Sequence, residues 1–132
     1  MSLLRRRTPG ARTSSRTWSR KFADAFRGLR RAIRTQSSFA VHLGIAGAVV
    51  AAGAFLRVTA GEWCLLVFAI GMVLMAEIFN TAIESLARAP GSRRHPRLRD
   101  ALDMASAAVL LAAITAAVIG VIVFGPRMLV WV

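Results

Sequence analysis

Glu77, Asn80, Thr81 and Glu84 stand together in the stretch "MAEIFNTAIES", residues 75–85, where the surrounding chain is apolar. On a helix advancing about 100° per residue, Asn80 lies about 60° from Glu77, Thr81 about 40°, and Glu84 and Arg88 about 20°. All of them share one stripe. Carboxylates bind hard divalent cations through oxygen, and Mg²⁺ takes one or two of them together with phosphate oxygens and water. Arginines nearby offset the charge of a nucleotide. A carboxylate set deeper, away from the cation, is poised by desolvation to take a proton and can act as general base toward a hydroxyl presented from lipid. The pattern reads as phosphoryl transfer at a membrane surface. The competing reading makes the same residues interhelical glue, with the carboxylates paired to arginines.

The elements that must hold this stripe are unusually apolar. Of 132 residues, 56% are hydrophobic, more than an ordinary soluble domain of this size carries. The mean hydropathy is +0.56. Residues 40–56 and 104–124 carry no formal charge, and a second apolar stretch runs from Trp63 to Ala87. The expected architecture is all-α: an integral membrane helical bundle with spans at about 38–57, 62–88 and 99–125. At about 1.5 Å per residue the stretch from Trp63 outruns a hydrocarbon core of about 30 Å, so its polar end must emerge. Counted from Trp63, Glu77 lies about 21 Å in and Glu84 about 32 Å. Asp103 opens the third span, antiparallel to the second, and is expected at the depth of Glu84, so that three carboxylates, an amide and the five-arginine loop converge at one cytoplasmic rim. Gly44, Gly47 and Gly53 are expected as helix contact points, and His42 as a packed residue.

Ahead of the spans, residues 1–18 mix Arg, Ser, Thr, Pro and Gly without acid and are expected to be a disordered basic tail. In residues 19–34, Phe22, Phe26, Leu29 and Ile33 form one helical stripe with arginines largely elsewhere. The expectation is an amphipathic helix over 19–36, lying on an anionic membrane surface. Eighteen basic residues against six acids give a formal charge of +12. Eleven precede the first span, and Arg88, Arg93, Arg94, Arg97 and Arg99 cluster between the second and third. The positive-inside rule then puts the N-terminus and the 88–99 loop in the cytoplasm of a multi-pass cell-membrane protein, with Trp63 and Trp131 as anchors at the outer face. The lone Cys64 excludes an internal disulfide.

"AEIFNTAIE" (76–84), "HP" (95–96) and Asp103 followed by "MASAAVLL" resemble the prokaryotic diacylglycerol kinase and undecaprenol kinase family of small membrane lipid kinases. "FRGL" (26–29), Phe39 with His42, and "GEW" (61–63) extend the resemblance over about residues 20–127. It implies a membrane lipid kinase domain over 19–132, a homotrimer with active sites between subunits, and transfer of the ATP γ-phosphoryl group to a lipid alcohol with Mg²⁺. It also implies roles: Glu77 as catalytic base, Glu84 as metal ligand, Asn80, His95 and Asp103 at the nucleotide, and Ser106 near the lipid substrate. The acceptor implied is diacylglycerol or undecaprenol, with "NTAIE" and "HP" leaning toward the latter.

Three positions depart from the family pattern. Gln36 stands where a second metal-binding Glu is common, Arg88 where an Asp is, and Leu102 where a Lys precedes Asp103. These departures motivate the rival expectation of a non-catalytic membrane scaffold. Nothing resembling GxxxxGK[ST] is present, so side chains must hold the phosphates. No nucleic-acid partner is expected.

Overall fold

The structure is a computed structural model that describes residues 17–89 and 96–129. The tail before residue 17, the loop residues Arg93, Arg94 and His95, and Trp131 lie outside the described residues. Four helices follow in order: α1 Trp18–Thr35, α2 Ser37–Phe55, α3 Ala60–Ala87 and α4 Pro96–Leu129. The described residues contain no strand. Helices α2, α3 and α4 are each long and apolar enough to cross a membrane.

Helix α3 is the middle element. Its most apolar window is 28% buried, against 17% for α2 and 11% for α4, and α3 packs on both of its neighbours. The stripe Leu66, Ala69, Val73, Glu77 and Asn80 recurs at helical spacing along its buried face. The polar residues identified above therefore belong to the inward side of the central helix.

Helices α1 and α2 are separated by one residue. Gln36 is extended (φ −122°, ψ 116°) and serves as the C-cap of α1 and the N-cap of α2. Thr35 turns its hydroxyl back onto the carbonyl of Arg31 at 2.8 Å, which closes the last turn of α1. The break leaves Phe22, Phe26, Leu29 and Ile33 exposed, the apolar face that an interfacial helix lays into a membrane.

At the opposite end, α2 stops in a Schellman turn. Val58 N–H reaches Gly53 O at 3.1 Å and Arg57 N–H reaches Ala54 O at 3.3 Å. Arg57 holds the left-handed position (φ 51°) where glycine is usual. Helix α3 then starts in a capping box: Thr59 N–H donates to Glu62 Oε2 at 2.7 Å, and Glu62 N–H donates to Thr59 Oγ1 at 3.4 Å. Arg127, near the end of α4, grips the same Glu62 through both terminal nitrogens at 2.8 and 2.7 Å, and also donates to Val123 O at 2.7 Å. Val58, Leu66 and Val123 form the core beside it, with Trp63 packed against them. Trp63 lies so close to α2 that a Cβ on Gly53 would sit 2.9 Å from its ring. Gly53 is thus the contact point expected from sequence, whereas a Cβ on Gly44 or Gly47 would meet nothing within 4 Å.

Candidate functional site

The α3 stripe meets α2 at the Gln36 end of the bundle. Glu77 is 2% exposed. Ser38 Oγ donates to its Oε1, and His42 Nε2 lies 4.0 Å from its Oε2. Two turns beyond, Glu84 takes three donors: Asn80 Nδ2 on Oε1 at 3.0 Å, and Gln36 Nε2 at 2.5 Å with Arg88 Nη2 at 3.2 Å on Oε2. Asn80 is buried, yet its Oδ1 has no partner, and neither has the buried Thr81 Oγ1. Buried acceptors and hydroxyls without a protein partner are uncommon, and water, an ion or a ligand can satisfy them.

The two carboxylates are thus held differently. Glu77 contacts no arginine among the described residues; a hydroxyl and an imidazole face it. Glu84 does pair with Arg88, as the glue reading expected, but through one nitrogen of a side chain that is 63% exposed. Glu77 is buried, whereas the Glu84 side chain is 31% exposed.

Toward the Trp63 end from Glu77, residues of α2, α3 and α4 line an apolar groove of about 310 Å³. Ala46, Ala69, Ala113, Ala117 and Gly120 shape it by being small, and His42 stands at its Glu77 end. A hydrocarbon tail in this groove would bring its polar head to Glu77.

Asp103 and Ser106 are exposed on α4, and among the described residues no hydrogen bond or ion pair links either to Glu77, Asn80 or Glu84. The buried stripe of α4 is Ala105, Ala112 and Val123. Asp103 is displaced from Ala105 by about 160° around the helix and Ser106 by about 100°. Asp103 thus faces away from the α3 of its own chain, and Ser106 faces to the side. His95 lies outside the described residues.

Sequence reasoning missed Ser38 and gave His42 only a packing role. The signal was present in the register. Six residues along α2 from Gln36 stands His42, and seven residues back along α3 from Glu84 stands Glu77. In antiparallel helices of equal rise, pairing Gln36 with Glu84 therefore sets His42 against Glu77.

The family model for prokaryotic diacylglycerol kinase matches residues 23–124. The chain belongs to this family. It is 31% identical over 109 residues to the undecaprenol kinase of Bacillus subtilis, covering 83% of this chain and 89% of that protein. It is 35% identical over 100 residues to the diacylglycerol kinase of Synechocystis sp., covering 75% of this chain and 57% of that protein. The chain is therefore a membrane lipid kinase that phosphorylates a lipid alcohol, with ATP as co-substrate.

Proposed function

We propose that the kinase transfers the γ-phosphoryl group of ATP to a single-tailed lipid alcohol of the undecaprenol type at the cytoplasmic face, with Glu77 as general base. The observation that carries this is the junction of the groove with Glu77. The apolar lane is lined at that end by His42, whose Nε2 lies 4.0 Å from Oε2 of the buried Glu77, a carboxylate that no described arginine neutralises. The B. subtilis relative, whose name gives undecaprenol as its acceptor, is matched over 89% of its length.

In this reading the lipid tail lies along the groove and the hydroxyl reaches Glu77. Ser38 fixes Glu77 Oε1 by donating to it, which leaves Oε2, beside His42, to accept the hydroxyl proton. The alcohol oxygen attacks the γ-phosphorus, the bond to the β-phosphate oxygen breaks, and ADP leaves. Catalysis is then mostly positioning and charge neutralisation.

A divalent cation fits the Glu84 cluster. Among the described residues no group of three His, Cys, Asp or Glu could hold one unaided, which suits Mg²⁺ bound by one carboxylate together with nucleotide phosphates and water. Glu84 would supply the charge, and the unpartnered Asn80 Oδ1 and the Gln36 amide oxygen would add neutral donors. When bound, Mg²⁺ neutralises phosphate charge and orients the nucleotide.

Asp103 points away from the α3 of its own chain and Ser106 to its side, which supports an active site completed by α4 of a neighbouring copy in a homotrimer. His95 and Asp103 would then hold the nucleotide and Ser106 the lipid, across the subunit boundary. The basic residues at the Gln36 end support a cytoplasmic position for that end and for the N-terminus. The kinase domain spans 19–132, after a basic tail.

A panel of lipid alcohols assayed with γ-labelled ATP tests the reading. Undecaprenol is expected to be phosphorylated fastest, with diacylglycerol slower. Faster labelling of diacylglycerol would overturn the acceptor assignment, and no labelling of any alcohol by folded protein would favour the scaffold.

A further inference from the structure

We infer that Arg88 is a movable counter-charge, which rests on the reading of Glu84 as the cation-holding carboxylate. It covers Glu84 while the site is empty and turns to the phosphate oxygens when the nucleotide arrives.

Arg88 occupies the C-cap of α3, with its N–H on Glu84 O at 3.1 Å, so its backbone is fixed one turn beyond the carboxylate. Its side chain is not fixed in the same way. Nη2 is the only guanidinium nitrogen that hydrogen-bonds among the described residues, and an ion pair this exposed is weak. The planar fork is thus used on one arm only, and phosphate oxygens can engage it on two.

Glu84 does not depend on Arg88 for its orientation. Gln36 Nε2 on Oε2 and Asn80 Nδ2 on Oε1 remain in place if the guanidinium swings out. Departure of Arg88 changes the charge instead. Gln36 and Asn80 are neutral, so Glu84 and Arg88 cancel, and the cluster gains a net negative charge only when Arg88 leaves. A cation arriving alone must compete with the guanidinium. A nucleotide arriving first draws the guanidinium to its phosphates and uncovers the carboxylate. Each ligand therefore strengthens the other, by reciprocal linkage.

The full-length protein in nanodiscs allows both affinities to be read without turnover. Mn²⁺ binding is followed by electron paramagnetic resonance in the absence of nucleotide, and binding of a non-hydrolysable ATP analogue is measured in chelator. In Arg88→Gln, Mn²⁺ alone is expected to bind about tenfold tighter and the analogue about tenfold weaker, within the usual range of coupling. Arg88→Lys keeps the charge without the fork and is expected to fall between the two proteins in both affinities. Wild-type values for both affinities in Arg88→Gln would overturn the inference. Unchanged Mn²⁺ binding in Glu84→Gln would overturn the reading of Glu84 beneath it.

Discussion

The two ends of α3 use the same side chain for opposite purposes. Glu62, at one end, is held by the capping box and by both terminal nitrogens of Arg127, a closed set of complementary charges. Glu77 and Glu84, toward the other end, are met by a hydroxyl, two amides, an imidazole at 4.0 Å and one mostly exposed guanidinium. The same end leaves Asn80 Oδ1 and Thr81 Oγ1 unpartnered. Complete satisfaction ties helices together; incomplete satisfaction leaves capacity for a substrate. In the proposed reading, that contrast separates a stabilising carboxylate from a reactive one.

Substitutions at the two ends should therefore fail in different ways. Glu84→Gln is expected to lower phosphoryl transfer by about 10²–10³, the range for losing one preorganised electrostatic contact, with the melting temperature unchanged. Transfer assays beside thermal melts check this, and wild-type activity would place Glu84 with Glu62 as a structural residue. Ser38→Ala removes a donor from the buried Glu77, and losing a hydrogen bond to a charged group, about 1.5–3 kcal/mol, corresponds to about 10–100-fold in kcat. A steady-state kcat within error of wild type would contradict the role given to Ser38.

At the other end, Gly53→Ala forces a methyl group against the Trp63 ring and is expected to cost about 1–3 kcal/mol of stability, read by thermal or denaturant melts in detergent. Glu62→Gln should also lower the melting temperature while kcat stays at its wild-type value. A loss of kcat without a loss of stability in either variant would break the division between the two ends. Arg57→Gly relieves the left-handed strain and is expected to raise stability by about 1 kcal/mol, the smallest of these effects.

Much of this molecule was legible in its sequence because the bilayer imposes length and apolarity on whole segments. All four helices fell within a few residues of expectation, and α3 proved to bury the stripe that carries Glu77 and Asn80. The ends were less legible. Helix α4 extends to Pro96 and Leu129, beyond the expected 99–125: a proline is tolerated in a first turn, and at the other end the helix runs on past Pro126. The Glu62–Arg127 pair joins residues 65 apart in sequence, and only the packing of α3 on α4 brings them together. Ser38 is one hydroxyl in a polar run, and its meaning depends on register rather than type. The face of α4 that carries Asp103 was assigned a depth but not a direction. Direction is what turns it away from the α3 of its own chain.

The most direct test of the central claim is the rate of γ-phosphoryl transfer from ATP to undecaprenol by Glu77→Gln in nanodiscs, with binding of the ATP analogue measured on the same preparation. The account predicts wild-type nucleotide binding and a rate lower by about 10²–10⁴, the contribution of a positioned general base. A wild-type rate in Glu77→Gln would contradict it.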